Sequence, residues 1–344
     1  MRRTLLISIG VLVAALAFAA GSGERQDATG LPDEVVIGFQ IIPNGEIIAK
    51  DMGWHEESFG VPVRWVQVVS GRVLNTGIAS GSIDLGLGGS STTVAAIAQG
   101  LPAEVIWIYD IIGDNEALVV REGSDIQSVE DLVGKTVAAP FGATTHYHLL
   151  AALGIANVDP ESVTVLDLQP PDMLAAWQRG DIDAGFVWEP TLAQMIELDG
   201  RVLISSRQLA AEGFVTGDIA IVHQEFASSY PDLVTQYLAN QDRAVRYYRE
   251  YPEESAAAVA RQFGISEQEA ARQMASLVML TGPEQLDQRY MGRPGNIGDL
   301  AQIFKDTADF LAEQRTIGES PDISVFREAI NPGYLVRALE SRAE

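Results

Sequence analysis

The sequence predicts a two-lobed α/β protein with a ligand cleft between the lobes, and two observations support this prediction. The phrase Gly-x-Ile-Asp-x-Gly occurs at residues 81–86 and again at 180–185, each time between a helix-like segment and a short apolar strand. Predicted strands also alternate with predicted helices, which indicates a parallel or mixed sheet. Because a repeat with so long a spacing is not a solenoid period, we interpret it as two similarly built lobes. The alternative is that helix–turn–strand units often place Gly and Asp at such turns.

Residues 1–20 have the pattern of an export signal. Arg2 and Arg3 precede an apolar run, and Ala17-Phe18-Ala19 offers a cleavage site flanked by small residues. The run is shorter than the roughly 20 residues that span a bilayer, and an uncleaved membrane anchor is the alternative. We expect residues 21–33 to be a flexible leader and the mature chain to be soluble and periplasmic.

Composition narrows the classes of partner. The formal net charge is −24, from 47 acidic and 23 basic residues, so the surface repels nucleic acid and anionic lipid. The need for solubility alone explains such a charge. A more specific hypothesis is that the protein works in a salty habitat, where salt screens the repulsion between its acidic residues. The chain has no Cys, which excludes disulfides, cysteine metal sites and a lipoprotein anchor as written; a Cys in place of Ser22 would have resembled such an anchor.

The elements of the first lobe begin at residue 35. Apolar, β-rich segments predict strands, and Pro62 precedes the second of them, where a missing N–H is tolerated. Ser91 is a suitable N-cap residue for an Ala-rich helix. The predicted strands are 35–39, 63–69, 83–87, 103–109 and 117–120, and the predicted helices are 46–52, 73–80 and 91–99.

The second lobe repeats the alternation of strands and helices. Pro170 and Pro171 interrupt the chain before one of its helices. The predicted strands are 136–139, 163–168 and 184–187, and the predicted helices are 128–132, 145–153, 173–179 and 190–198. We expect the chain to leave the first lobe near residues 116–121 and to return near 218–223, because two crossings would make a hinge that closes on a ligand.

The last part of the chain is mostly helical. Apolar residues recur there at spacings of three and four, which predicts helices at 233–251, 253–263, 266–277 and 297–314. We expect these helices to pack on the first lobe, and Trp177, Tyr247, Tyr248 and Phe310 to lie in helix cores. The expected division is lobe 1 at residues 34–118 and 220–344, the latter with the C-terminal helices, and lobe 2 at residues 119–219.

Several longer strings carry a family resemblance. They are Leu168-Gln169-Pro170-Pro171, the run from Ala175 to Asp183, Pro140-Phe141 with Thr144-Thr145-His146-Tyr147, the run from Leu149 to Leu153, the run from Glu116 to Val120, Ser70-Gly71 with Ala79-Ser80-Gly81, and Gly89-Ser90-Ser91. With these strings the chain resembles the taurine-binding proteins of bacterial ABC importers, closely in the middle and loosely after Leu277. The wider family also binds alkanesulfonates, nitrate and pyrimidine-type molecules.

The resemblance implies a type II-like periplasmic binding protein, a monomer without a cofactor, that closes on taurine and delivers it to a membrane permease. Hydroxyl-rich helix starts in both lobes, Ser90-Ser91-Thr92 and Thr144-Thr145-His146, would converge on the sulfonate, because helix N-termini favour anions. Ser70, Gly71 and the side-chain amide of Gln40 would add donors. The alternative for the hydroxyl residues is that they only cap their helices.

The ammonium of taurine needs an acid, and Asp218 and Glu116 are the candidates because both lie near the predicted crossings. The alternatives are a turn or N-cap role for Asp218 and pairing with Arg121 for Glu116. Trp188 would form an apolar wall that contacts the ammonium through its ring face, or would belong to the core. Glu189 would hold the amine or cap the helix that follows it.

Two departures from the family pattern leave other ligands open. Glu189 stands in Trp-Glu-Pro where taurine binders carry a small residue, and this string looks more like the sulfonate and nitrate relatives. Ile41-Ile42 is also more apolar than the expected first turn. The alternative ligands are therefore other alkanesulfonates or nitrate-like anions.

Other classes of function are disfavoured. Enzymes of the pyrimidine-synthase-like branch look alike but use cysteine-rich and metal-binding residues that this chain lacks. His146 with Glu116 or Asp218 would be the acid–base pair of such an enzyme, and His148 leaves its helix on a different face from His146, which disfavours a shared metal. A ligand-sensing subunit is a third class, but the sequence has no signalling domain. We expect a binding protein without enzyme activity or a metal.

Overall fold

The computed structural model describes residues 30–341, which form two α/β lobes joined by two crossings of the chain. Before the first crossing the elements are β1 (Val35–Phe39), α1 (Gly45–Asp51), α2 (Trp54–Phe59), β2 (Val63–Gln67), α3 (Gly71–Ala79), β3 (Leu85–Gly89), α4 (Ser90–Ala98) and β4 (Ala103–Ile111). Between the crossings they are β5 (Glu116–Arg121), β6 (Thr136–Ala138), α5 (Thr144–Ile155), β7 (Thr164–Leu166), α6 (Pro170–Arg179), β8 (Ala184–Trp188), α7 (Thr191–Glu197), β9 (Gly200–Ser205) and α8 (Ser206–Ala211), with short 3-10 turns at Val129–Leu132 and Pro160–Ser162.

The chain then returns to the first lobe and ends in helices. These elements are β10 (Gly217–His223), α9 (Gln224–Ser229), α10 (Pro231–Glu250), α11 (Pro252–Phe263), α12 (Glu267–Ala275), α13 (Gly282–Gln285), β11 (Gly292–Arg293), β12 (Asn296–Ile297), α14 (Leu300–Glu313), α15 (Ile323–Ala329) and α16 (Gly333–Glu340). The expected signal at 1–20 and the leader up to residue 29 lie outside the described residues. No helix among residues 30–341 combines the length and apolar character needed to span a bilayer.

Each lobe is built on a five-stranded sheet of the same design. The first sheet has the order β2-β1-β3-β10-β4 and the second the order β7-β6-β8-β5-β9. In each sheet three strands run parallel, and one strand beside them, β10 or β5, runs antiparallel to both of its neighbours. The predicted two-lobed α/β fold is therefore confirmed.

The repeated Gly-x-Ile-Asp-x-Gly occupies the same structural position in both lobes. Its first Gly has a left-handed backbone at the end of α3 or α6, with φ of 69° at Gly81 and 78° at Gly180. Its Asp accepts a hydrogen bond from the neighbouring parallel strand of the same sheet: Asp84 Oδ2 from Val36 N at 2.7 Å, and Asp183 Oδ2 from Thr136 N at 2.8 Å. The repeat therefore ends a helix and fastens the start of the next strand to its neighbour.

The crossings lie slightly outside the expected borders. The first crossing is residues 112–115, between β4 and β5, and the second is residues 212–216, between α8 and β10. The expected borders after residues 118 and 219 fall inside β5 and β10, which each pair with a single sheet over their whole length. We propose 116–211 as the second lobe, because the two sheets share no strand.

The C-terminal helices pack on the first lobe, as the spacing of their apolar residues predicts. Helix α10 contacts α1 and α16, and α14 contacts α4. A buried polar contact helps to hold α10, since the Tyr237 hydroxyl donates to Glu46 Oε1 at 2.7 Å. Trp177 is fully buried, as expected, whereas Phe310 of α14 packs edge-on against Tyr147 of the second lobe at 5.1 Å between ring centroids.

Removing one repeat Asp should destabilise its lobe. We expect Asp84→Ala to lower the free energy of unfolding by about 1.5–3 kcal/mol, because the Val36 N–H loses a charge-assisted partner. Asp181→Ala is the matched control within the second copy of the repeat, since Asp181 is exposed and forms its ion pair with the exposed Arg179; exposed pairs contribute about 1 kcal/mol or less. Urea unfolding measures both, and equal losses would contradict the assigned role of the repeat.

Candidate functional site

A small cavity lies between the lobes where the ends of both sheets meet. Its volume is about 20 Å³, which is room for roughly one water molecule. The lining residues are Gln40, Ile42, Gly71, Gly89, Thr92, Glu116, Ala143, Thr144, Trp188 and Asp218. The lobes are therefore closed on each other, and a larger ligand requires them to open and some side chains to move.

Three helices begin at this cavity. The first residues of α3 and α5 line it, and Gly89, the N-cap of α4, does so as well. The N–H groups of a first helical turn have no partner within their own helix, and the helix dipole is positive at that end. Two of these helices belong to the first lobe and one to the second, so the cavity offers hydrogen-bond donors to an anion from both sides.

Two acids also face the cavity. Glu116 is the first residue of β5 and Asp218 the second residue of β10, and both are almost fully buried. Burial, followed by the charge of Asp218, raises the pKa of Glu116 to about 8. Burial likewise raises the pKa of Asp218 to about 7. In the part of the chain that the structure describes, no Lys or Arg forms an ion pair with either acid, so both favour a cationic ligand group.

A third acid, Asp110, was missed by the sequence reasoning. It lies opposite Asp218 in the pairing of β4 with β10, and it is fully buried. Burial and the neighbouring charges of Asp218 and Glu116 raise its pKa well above the usual range. Neither of its carboxyl oxygens makes a hydrogen bond of good geometry within residues 30–341, although Asn44 lies close by. An acid at the end of the apolar run from Val105 to Tyr109 was the sequence signal that could have found it.

The Glu116 carboxyl contacts Thr144 and Ser206 and does not pair with Arg121. Thr144 Oγ1 donates to Glu116 Oε1 at 2.6 Å, and Ser206 Oγ lies 3.4 Å from Oε2. Arg121 instead lies over the ring of Trp177, 4.0 Å from its centroid. The sequence alternative of a Glu116–Arg121 pair is therefore wrong.

The hydroxyl residues divide between the cavity and the contact of the two lobes. Ser91 Oγ and Thr92 Oγ1 both donate to the carbonyl of Gly142 in the second lobe, at 3.0 and 3.3 Å. Ser70 Oγ and Thr145 Oγ1 are buried without a hydrogen-bond partner among the described residues. Those two hydroxyls are therefore available at the start of α3 and α5.

Gln40, Gly71 and Trp188, which the sequence predicts to contact the ligand, line the cavity. The Gln40 amide donates to Leu87 O at 3.2 Å, which fixes the orientation of its side chain. Gly71 is required by close packing, because an added Cβ would lie 3.0 Å from Thr92 Oγ1. Trp188 borders both this cavity and an apolar pocket that contains Pro170 and Pro171.

Six predicted site residues are not among the residues that line the cavity: Ser70, Ser91 and Thr145, described above, and Ser90, Glu189 and His146. Ser90 Oγ accepts from Gly217 N at 3.2 Å and so joins α4 to β10. Glu189 Oε2 accepts from Ala193 N at 2.9 Å, and Oε1 pairs with Arg272 of α12 at 3.0 Å. His146 stacks on Phe141 in a separate outer groove. The side chains of Ser90 and Glu189 use their oxygen atoms in these contacts, and the His146 ring lines the outer groove instead of the cavity.

The outer groove is the larger space, about 880 Å³, and it lies between α3, α4 and the start of α5. His146 there is neutral near pH 7, since burial lowers its pKa to about 4. The groove contains no carboxylate, and its one Arg, Arg72, already pairs with Asp167 at 3.1 Å. We assign the candidate site to the smaller cavity, because helix N-termini meet acids there that no Lys or Arg of the described residues pairs with.

Salt bridges and hydrogen bonds hold the lobes together around the cavity. Arg72–Asp167 and Arg272–Glu189 each join a residue of the first lobe to one of the second. The Glu189 carboxylate is buried whereas Arg272 is about half exposed. The closed arrangement therefore rests on polar contacts that opening would expose to water.

Comparison with known proteins places these features in context. The NMT1/THI5-like family matches residues 43–255. The taurine-binding periplasmic protein of Escherichia coli is 33% identical over 313 residues, which cover 89% of this chain and 92% of that protein. The putative aliphatic sulfonates-binding protein of Bacillus subtilis is 26% identical over 349 residues, covering 100% and 98%.

Solved structures share the fold. The alkanesulfonate-binding protein SsuA from Xanthomonas axonopodis pv. citri, bound to MOPS, gives a TM-score of 0.72 at 22% identity and covers 88% of this chain and 99% of that one. The desulfurization enzyme DszB gives 0.64 at 14% identity, with 90% and 99% covered. At these identities the likeness concerns the fold alone.

The buried acids should make the ligand-free protein less stable as pH rises from 6.5 to 8. In this window folded Glu116 and Asp218 still hold protons that unfolded carboxyls released near pH 4, so ionisation works against folding. His146 and His148 make stability rise with pH, but only below about pH 6.5, where the unfolded His side chains take up protons and the folded ones do not. We expect the wild type to lose about 1–2 kcal/mol more than Glu116→Gln over this window, measured by urea unfolding. The same slope in both proteins would contradict the raised pKa of Glu116.

Proposed function

Because this chain belongs to the NMT1/THI5-like family, we propose that it is the extracytoplasmic solute-binding subunit of an ABC importer and that it binds taurine between its lobes. One observation carries the proposal: three helix N-termini and two acids without a cationic partner line a single interlobe cavity. Taurine has a sulfonate and an ammonium joined by two carbons, so its two ends match these two groups of residues. The 33% identity to a protein named as taurine-binding supports the choice of ligand.

The sulfonate would lie against the helix starts. The first-turn N–H groups of α3, α4 and α5 would donate to its oxygens, with the buried hydroxyls of Ser70 and Thr145 beside them. A charge-assisted hydrogen bond contributes roughly 1.5–3 kcal/mol. A few such bonds are enough for micromolar affinity, about −8 kcal/mol, after the cost of association.

The ammonium would lie at Asp218, with Trp188 as the wall between the two ends. Both residues line the cavity, and the face of a Trp ring attracts a cation. A ligand with no net charge also avoids long-range repulsion by a protein of net charge −24. Free anions such as nitrate do not have this advantage.

Closure would complete the site and present the loaded protein to a membrane permease. The interlobe contacts of Ser91, Thr92, Arg72 and Arg272 would form as the lobes close on the ligand. In this proposal the chain acts in the periplasm after export and catalyses no reaction. The acid–base pair of His146 with Glu116 or Asp218, which the sequence already disfavours, is not supported by the structure, because His146 lies in the outer groove.

The second candidate ligand is another alkanesulfonate. Relatives named as aliphatic sulfonates-binding proteins support it, at 26% and 27% identity. Such ligands have no ammonium, so they would leave Asp218 unpaired in the closed cavity. Affinity for taurine relative to ethanesulfonate therefore separates the two candidates.

Calorimetric titration of the unfolded-and-refolded chain with taurine and ethanesulfonate tests the proposal and the role of Asp218 together. We expect the wild type to prefer taurine, and Asp218→Asn to weaken taurine binding roughly 10- to 150-fold, since one charge-assisted bond of about 1.5–3 kcal/mol is lost. Ethanesulfonate binding should not weaken in that variant. Asp181→Asn, an exposed acid outside the cavity, is the control. Equal affinity of the wild type for both sulfonates would favour the second candidate.

Loss of the Arg272–Glu189 pair should weaken binding without touching the ligand. We expect Arg272→Ala to reduce taurine affinity roughly three- to tenfold, about 0.7–1.4 kcal/mol, because only the closed form makes this half-exposed pair. Arg246→Ala is the matched control: Arg246 is equally exposed, at 51%, and its buried partner Asp242 lies on the same helix of the same lobe. An equal loss of affinity in both variants would contradict a role for closure.

A further inference from the structure

A chain of buried polar groups continues from Glu116 away from the cavity. Ser206, the first residue of α8, has its Oγ 2.7 Å from His148 Nδ1 and 3.4 Å from Glu116 Oε2. His148 Nε2 lies 2.9 Å from the carbonyl oxygen of Phe214, in the second crossing. Ser206 and His148 are fully buried. The resemblance to binding proteins gave no role to either residue.

The hydrogens in this chain can be assigned from chemistry. A carbonyl oxygen only accepts, so His148 Nε2 must carry a hydrogen to bond Phe214 O. Burial lowers the pKa of His148 to about 4, so the ring is neutral and its Nδ1 has a lone pair. The single hydrogen of the Ser206 hydroxyl therefore goes to His148 Nδ1, at the shorter of its two contacts.

This assignment leaves Ser206 Oγ with only lone pairs to offer Glu116 Oε2. An ionised carboxylate there would face another electron-rich oxygen, whereas a protonated carboxyl would donate its hydrogen to that oxygen. Thr144 still donates to the other oxygen, Oε1, at 2.6 Å, and this bond by itself lowers the pKa of Glu116, against the larger effect of burial. The geometry around Oε2 thus favours the neutral form of Glu116.

We propose that Ser206 and His148 hold Glu116 in its protonated, neutral form, so that Asp218 is the only ionised acid that meets the ligand's ammonium. Ser206 and His148 are then positioning residues, which act on the ligand through Glu116. The part of this inference that concerns the ammonium rests on the proposed function. The part that concerns Glu116 applies to the ligand-free protein as well.

Other charged groups around Glu116 agree with a neutral acid. The charge of Asp218, on β10, raises the pKa of Glu116. A charge on Glu116 in turn raises the pKa of Asp110, on β4. Glu189, after β8, is paired with Arg272, and Asp114, in the first crossing, is paired with Arg207. Among the described residues His148 is the one basic side chain near Glu116, at 3.9 Å from Oε2, and it is neutral.

The charge of the site follows from this arrangement. Two acids line the cavity, and with both of them ionised it would carry a charge of −2. With Glu116 protonated and Asp218 ionised, the cavity carries one negative charge, which matches one ammonium.

Infrared spectroscopy of the full chain tests the protonation directly. We expect the C=O band of a protonated carboxyl at pH 7 in the ligand-free wild type, assigned to Glu116 by its loss in Glu116→Gln, and we expect it to persist when taurine is added. Absence of this band from the ligand-free protein would overturn the proposal. Its loss on adding taurine would do so too, since Glu116 would then ionise to meet the ammonium. If taurine does not bind at all, the proposed function fails while the ligand-free spectrum still decides the state of Glu116.

Two substitutions of His148 test the positioning role. In His148→Phe the Ser206 hydrogen is free to turn to Glu116, so the carboxyl band should titrate about one pH unit lower or more. In His148→Gln the side-chain carbonyl can accept from Ser206 and the amide can donate to Phe214 O, so the band should titrate as in the wild type. A merely structural role would leave the titration of Glu116 unmoved in both variants and would overturn the assignment.

The tautomer of His148 provides a check that needs no variant. Nitrogen-15 NMR of the labelled wild type should show a neutral ring with its hydrogen on Nε2 at pH 7. A hydrogen on Nδ1, or a doubly protonated ring, would contradict the assignment of the Ser206 hydrogen and with it the proposal.

Discussion

Three acids are buried near the place where three helices begin, and the arrangement of the two lobes follows from this unfavourable burial. Asp110, Glu116 and Asp218 lie where the two sheets meet, without a cationic partner among the described residues. An unpaired charge is costly in such a place, so the acids take up protons or wait for a cation. The helix ends have the opposite need, since their free N–H groups favour an anion. A zwitterion meets both requirements at once.

The lobes depend on this arrangement because neither of them contains the whole site. Asp218 comes from the first lobe and Glu116 from the second, and the helix starts are divided between them in the same way. The crossing at 112–115 ends directly before Glu116, and the crossing at 212–216 ends two residues before Asp218. Opening of the hinge therefore separates the acids and the donors together, which couples occupancy of the site to the shape of the protein.

The fold could be predicted from the sequence because apolar periodicity and turn residues mark most strands and helices locally. The strand at 35–39 has the predicted bounds, and the repeat at 81–86 and 180–185 marks the same turn in both sheets. Strand β9 and helix α8 were not predicted, since Arg201 and its neighbours lack a clear alternation. Side-chain direction was harder: Ser90 and Ser91 are adjacent, yet one joins β10 and the other the second lobe. The contact of Ser206 with His148 spans 58 positions in the chain, so no local pattern reveals it.

A crystal structure of the protein with taurine would show directly whether the ligand joins Asp218 to the helix N-termini. We expect the ammonium nitrogen about 3 Å from the Asp218 carboxylate and the sulfonate oxygens about 3 Å from first-turn N–H groups of α3, α4 and α5. A sulfonate placed beside Asp218, or taurine bound in the outer groove next to His146, would contradict this placement.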